Sequence, residues 1–156
     1  MRDYLVADLF CGAGGSSTGA ERAIREMGGE MTLCAVNHWP LAIETHQKNH
    51  PNARHYVEDV TAVRPEDIVP EGRLDLLMAS PECTYFSRAR GGKPVSNQGR
   101  MPPWTVLNWL TRLDVRCVLI ENVWEFTEWG PVMDNGRPDP DRKGEYFSAW
   151  YRNGSA

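Results

Sequence analysis

The stretch Leu74 to Ala79 constrains the chain more than any other, because Leu74, Leu76, Leu77 and Met78 leave neither face of a strand polar. A strand buried on both faces belongs to a parallel sheet covered by helices, which makes α/β the expected fold class. The run empties into Ser80-Pro81-Glu82-Cys83-Thr84-Tyr85-Phe86-Ser87. Cys83 therefore lies just past the carboxyl end of a strand, in the crevice where open α/β sheets place their ligands. Such a thiol is either a nucleophile or an inert buried side chain, and position alone leaves both readings open.

Tyr4 to Phe10 begins as a buried strand and ends at Asp8-Leu9-Phe10, before the turn Cys11-Gly12-Ala13-Gly14-Gly15. Ser16 to Met27 then reads as a helix: Ala20, Ala23, Ile24 and Met27 form an apolar stripe and Gly28-Gly29 supplies the stop. Thr18-x-x-Glu21 offers a capping box, unless the helix starts a turn earlier. A glycine-rich turn in this place lets backbone approach a ligand, and the helix N-terminus favours an anionic group. The dinucleotide pattern G-x-G-x-x-G would put its third glycine where this chain has Ser17, and no G-x-x-x-x-G-K occurs. NAD and ATP are thereby disfavoured. The carboxylate of S-adenosylmethionine suits the same helix end without a pyrophosphate.

Met31 to Val36 reads as the second strand, closing at Asn37-His38-Trp39; Pro40 can open the next helix and Pro51 end it. Trp39 is placed either to stack on an adenine ring or to pack in the core. Arg54 to Val57 gives a third strand followed by Glu58-Asp59-Val60, where Asp59 either accepts a hydrogen bond from an exocyclic amine or caps a turn. Leu74 to Ala79 is the fourth strand. Tyr85 to Pro103 lacks periodicity and reads as a mobile functional lid of ~15 to 20 residues. Trp104 to Leu113 returns to helix, and Val115 to Ile120 forms a fifth strand ending at Glu121-Asn122-Val123. Glu121 can bind the amidine edge of a base, or serve as a turn residue or in a surface ion pair. Beyond Trp124 turn chemistry dominates, until Gly144 to Tyr151 suggests a helix with Phe147 and Trp150 inward.

At 156 residues, 41% hydrophobic and 24% charged, the chain has the composition of one globular domain. Its net charge of -4 argues against a protein that coats nucleic acid by bulk electrostatics, while Arg88, Arg90, Lys93 and Arg100 after Cys83 read either as a local cationic flap or as a solvated loop. The four cysteines and four histidines show no metal-ligand spacing, so reduced thiols and no metal are expected. No apolar run is long enough for a membrane span and no signal peptide is evident, which implies a cytoplasmic protein.

Asp8-Leu9-Phe10-Cys11-Gly12-Ala13-Gly14-Gly15, then Pro81-Glu82-Cys83, then Glu121-Asn122-Val123, in that order, resembles the cytosine-5 methyltransferase family. The resemblance implies a doubly wound, mostly parallel, Rossmann-like sheet that binds S-adenosylmethionine. It also implies cytosine in DNA as substrate, as in restriction-modification, with a tRNA-modifying branch as the minority reading. It assigns Phe10, Gly12, Gly14, Gly15, Asn37, His38, Trp39, Asp59 and Val60 to the cofactor. It makes Cys83 the nucleophile and Glu121 the carboxylate that holds the base, and sets Pro81, Ser87, Arg88, Arg90, Lys93 and Asn122 against the nucleic acid. Three departures stand out. Glu82-Cys83-Thr84 replaces the family's Pro-Cys-Gln, and His38 stands where an acid often meets the ribose. The family's later strands and target-recognition region have no counterpart here, so self-association or a complementing polypeptide is expected.

On this reading the thiolate adds to C6 of a flipped-out cytosine while Glu121 stabilises the charge that builds at N3. The loop Ser87 to Arg100 would close over the base, with Arg88, Arg90 and Lys93 on phosphates. Two other readings share the motifs: a non-catalytic module that keeps the cofactor fold, and another Rossmann-type enzyme using Cys83 as a thiol nucleophile.

Overall fold

The computed structural model describes residues 1–82 and 102–154. The chain divides into two compact units, Met1–Ser80 with Asn108–Glu121, and Pro81–Leu107 with Asn122–Ala156.

The first unit is an α/β layer structure. Its strands are β1 (Arg2–Leu9), β2 (Gly29–Asn37), β3 (Arg54–Val57), β4 (Arg73–Leu74), β5 (Leu76–Ala79), β6 (Asp114–Val115) and β7 (Val118–Ile120). Helices α1 (Gly15–Glu26), α2 (Pro40–Asn49) and the single turn α3 (Pro65–Ile68) connect the early ones. Five strands form one sheet in the order β3-β2-β1-β5-β7, every neighbouring pair parallel. Successive strands run outward from β1 in one direction and then, after the chain returns past β1, in the other. That is doubly wound topology, with its reversal at β1 and β5.

The core explains the register. Val6, Ala7 and Leu9 of β1, Cys34, Ala35 and Val36 of β2, and Leu77, Met78 and Ala79 of β5 are all buried. These central strands are apolar on both faces, as parallel strands covered by helices must be.

Two expected strands are split. Leu74 to Ala79 breaks at Asp75, and Val115 to Ile120 breaks after Val115; the outer pieces β4 and β6 pair separately as a two-stranded sheet. Asp75 accounts for the first break. Its Oδ2 accepts the Leu5 backbone N–H at 3.1 Å and its Oδ1 accepts from Arg2 at 2.8 Å, so a buried carboxylate interrupts the apolar run. The Thr18-x-x-Glu21 capping box is also corrected. Helix α1 begins at Gly15 with Gly14 as N-cap and no side-chain cap on it, and Thr18 Oγ1 instead donates to the Gly14 carbonyl at 2.9 Å.

The second unit holds the start of α4 (Pro102–Arg112), 3-10 turns at Trp124–Glu128 and Pro140–Arg142, and α5 (Glu145–Gly154). Pro102 and Pro103 open α4, where their missing N–H groups cost nothing, so the expected loop ends before them; Tyr85 to Met101 lies outside the described residues. Phe126 lies at the centre of an aromatic cluster, with ring centroids 5.5 Å from Trp129, 5.4 Å from Phe147 and 5.1 Å from Trp150. Trp150 is buried and its indole N–H donates to the Pro103 carbonyl at 2.7 Å, so α5 turns the expected face inward.

Candidate active site

The glycine turn after β1 is built from backbone conformations that few residues accept. Phe10, Gly12 and Gly14 have φ of 61°, 53° and 95°. A Cβ on Gly14 would lie 2.7 Å from the ring of His50, so both conformation and space require glycine there. The Cys11 N–H donates to the Val36 carbonyl at 3.2 Å and the Gly14 N–H to the Cys11 carbonyl at 3.0 Å. Asn49 of α2 donates to the Ala13 carbonyl at 2.8 Å. The turn is pinned from three sides, and it leaves Ala13 and Gly15 exposed at the N-terminus of α1.

Asp8 does the work that a side chain on the N-cap would do. It is buried, it accepts the Ser17 hydroxyl at 2.6 Å, and it also accepts the Ser17 backbone N–H. Burial pushes its carboxyl up to about 6, against the lowering effect of those bonds and of nearby His50. The Cys11 thiol is raised to about 12, by burial first and then by Asp8, so it is no nucleophile.

At the end of β2, Asn37 Oδ1 accepts the Trp39 N–H at 2.9 Å and thereby shapes the entry to α2, with Pro40 at the first helical position. Trp39 is 57% exposed. Of its two readings, core packing is excluded, and a free aromatic face beside the crevice remains. His38 is exposed and close enough to Asp59 to help hold that carboxyl below its ordinary range; the larger causes are the Thr61 N–H and hydroxyl, which Asp59 Oδ1 accepts at 2.8 and 2.7 Å. Asp59 therefore caps its turn, and stays ionised and exposed while doing so. Val60 is buried, which leaves only its backbone for any ligand.

Glu121 follows β7 directly, is exposed, and its N–H donates to the Ala79 carbonyl at 3.0 Å. In the second unit Asn122 Nδ2 donates to the Pro81 carbonyl at 3.0 Å, and Asn122 Oδ1 accepts the Val123 N–H. Cys83, Ser87, Arg88, Arg90 and Lys93 lie outside the described residues. The structure thus brings Phe10 to Gly15, Asn37 to Trp39, Asp59 and Glu121 to the carboxyl ends of β1, β2, β3 and β7 of one sheet. Sequence reading passed over Asp8, Ser17, His46 and His50, which support the turn from below. A polar residue inside an apolar strand and two histidines one helical turn apart were the available signals.

A glycine turn, an exposed tryptophan and an ionised acid lie at three successive strand ends of one doubly wound α/β sheet. The chain belongs to the C-5 cytosine-specific DNA methylase family, whose model matches residues 4–128. It is 32% identical over 123 residues to the type II methyltransferase M.AgeI of Thalassovita gelatinovora, an overlap of 74% of this chain and 27% of that protein. With M.DdeI of Desulfomicrobium norvegicum it shares 31% over 83 residues, covering 53% of this chain and 19% of the other. An E. coli structure described as a prophage-encoded DNA modification methyltransferase superposes with a TM-score of 0.69 at 25% identity, covering 97% of this chain and 38% of that one. The chain spans well under half the length of these relatives.

Proposed function

We propose that this chain carries the cofactor-binding and catalytic part of a DNA cytosine-5 methyltransferase that uses S-adenosylmethionine and a covalent Cys83 adduct. The observation that carries the reading is the cofactor edge: an exposed helix N-terminus after a glycine turn, with an exposed Trp39 and an ionised Asp59 at the next two strand ends. The residues fit the cofactor's chemistry. The N-H groups at the start of α1 suit its carboxylate, Trp39 its adenine and Asp59 the adenine amine. Bound there, it supplies an electrophilic methyl group on a sulfonium.

The protein's own part is to make C5 of cytosine nucleophilic. The Cys83 thiolate adds to C6, and the electron pair of the C5–C6 double bond moves toward C5 and the ring. Glu121 holds N3 and the N4 amine and stabilises that charge. After transfer, loss of the C5 proton to a base and expulsion of the Cys83 sulfur restore the double bond. The target base must leave the duplex first, at a cost of a few kcal/mol. Arg88, Arg90 and Lys93 hold the flanking phosphates, and Pro81, Ser87 and Asn122 line the base.

DNA containing 5-fluorocytosine tests this, because fluorine at C5 cannot leave as a proton and the adduct is trapped. With S-adenosylmethionine present, a covalent protein–DNA species is expected, absent in Cys83→Ser and strongly reduced in Glu121→Gln. No adduct from the chain, alone or joined to the remainder of a relative, would favour a non-catalytic module; an adduct with tRNA and none with DNA would redirect the substrate. Among the described residues β7 forms an edge of the sheet and Leu119 is 55% exposed, so a second copy or a complementing polypeptide is proposed to pair there. Sedimentation of dilute chain as a stable, folded monomer would contradict that pairing.

A further inference from the structure

Beneath the glycine turn a line of buried polar side chains has its ends at different depths. Ser17 Oγ lies 2.6 Å from Asp8 Oδ2 and 3.1 Å from His46 Nε2, and His46 Nδ1 lies 2.9 Å from His55 Nε2. Asp8, Ser17 and His46 are essentially inaccessible, whereas His55 is half-buried. The His46 ring meets Ser17 through one nitrogen and His55 through the other.

The hydroxyl of Ser17 has one proton, and that fixes two alternatives for the whole line. With Asp8 ionised, Ser17 donates to Asp8 and accepts from His46 Nε2–H, and His46 Nδ1 accepts from His55 Nε2–H. With Asp8 protonated, Asp8 donates to Ser17, Ser17 donates to His46 Nε2, His46 Nδ1–H donates to His55 Nε2, and His55 carries its proton on Nδ1. Within the line, each arrangement pairs every donor with an acceptor. They differ by one proton, which enters from solvent at His55 and, by a shift along each bond, ends on Asp8.

We propose that Asp8, Ser17, His46 and His55 form a buried proton-holding chain whose hydrogen bonds all reverse when Asp8 gains a proton, and that Asp8 and His46 are thereby positioning residues for the glycine turn. The positioning role rests on the reading of that turn as the cofactor site. The link is Ser17, which lies in the first turn of α1: a carboxylate grips its N–H and hydroxyl more strongly than a neutral acid can. Burial supports the order of protonation. It raises Asp8 to about 6 and, helped by His50 and His55, lowers His46 to about 4, so the carboxyl takes the first proton and the ring stays neutral. His55 is also lowered, by burial first, and it bonds the Ala53 carbonyl. The titratable groups facing the line are Cys11 from the turn, and His50 from α2, whose Nδ1 lies 3.5 Å from Glu21 of α1. His50 Nε2 lies 3.1 Å from the Gly14 carbonyl, so the ring next to His46 also touches the turn.

The test is the tautomer of His46, read from ring nitrogen–proton correlations of the labelled 156-residue chain without cofactor, from about pH 5 to about pH 8. The expected result is an Nε2–H ring that becomes an Nδ1–H ring as the pH falls through the Asp8 titration, never an imidazolium. In Asp8→Asn the Nδ1–H form is expected at every pH. Should that variant not fold, Ser17→Ala cuts the line at its middle and is expected to abolish the switch. A His46 imidazolium, or one unchanging tautomer in the wild type, overturns the chain. S-adenosylhomocysteine affinity, measured by calorimetry, is expected to fall several-fold on acidification in the wild type and to be flat with pH in Asp8→Asn. A flat wild type with a switching ring overturns the positioning role. No binding at any pH overturns the cofactor reading and the positioning role together, while the ring signals still decide the chain.

Discussion

The two strand-to-helix crossings that follow β1 and β2 solve one problem by opposite means. The crossing from β2 to α2 is self-contained: Asn37 binds the Trp39 N–H, Pro40 opens the helix, and Trp39 is left outside. The crossing from β1 to α1 has almost no side chains of its own, and is held by Asp8, Asn49 and His50 reaching in from neighbouring elements. Glycine gives a ligand access to backbone, and in exchange the capping has to come from elsewhere. Damage to the β1–α1 crossing, the first along the chain, should therefore spread into the core, and damage to the β2–α2 crossing, the second, should stay local.

The largest effect is expected at Gly14. In Gly14→Ala the left-handed conformation costs about 1–2 kcal/mol, and displacing the buried His50 ring adds to it, for a total loss of about 3 kcal/mol in urea unfolding. A loss under about 1 kcal/mol would show that the first crossing is not held from below.

Next comes a pH effect with the sign fixed by two opposed groups. Asp8 is raised to about 6, so its contribution is fully present below its unfolded value and is lost as pH rises through about 6. His46 is lowered to about 4, so its contribution is present above its unfolded value and is lost as pH falls through about 4. Each amounts to about 3 kcal/mol and they oppose one another over the same window. In Asp8→Asn only the histidine remains. Stability should then fall with acidification through the interval from 6.5 to about 4 by about 3 kcal/mol more than in the wild type. Parallel curves for the two proteins would remove the opposition.

At the second crossing, Asn37→Ala should cost about 1 kcal/mol, the value of one helix-entry bond. Trp39→Ala should change stability by less than about 0.5 kcal/mol, since the side chain is mostly exposed, yet weaken S-adenosylhomocysteine binding about tenfold or more. A reversed order, with Trp39→Ala destabilising the fold and sparing the affinity, would return that tryptophan to the core.

How much of this was legible depends on whether the cause is local. The doubly wound sheet, the glycine turn, the Asn37-His38-Trp39-Pro40 entry and the inward face of Trp150 follow from patterns within one stretch, and the fold has them. The breaks in two strands did not follow, because Asp75 acts through Leu5 and Arg2, far away in sequence. Neither did the Thr18-Glu21 box, which lost to a cap supplied by Asp8 across the strand-helix turn. Four histidines without ligand spacing looked uninformative, yet the sheet gathers three of them, and spacing rules are silent about contacts of that kind.

Titration of the chain with S-adenosylhomocysteine, followed through backbone and indole resonances, is the most direct test of whether the methyl donor sits on the first unit's sheet edge. Saturating shifts are expected at Gly12, Gly14 and Gly15, at the Trp39 indole and at Asp59. Saturation with those signals unmoved, and the shifts centred on the aromatic cluster around Phe126 instead, would contradict that placement.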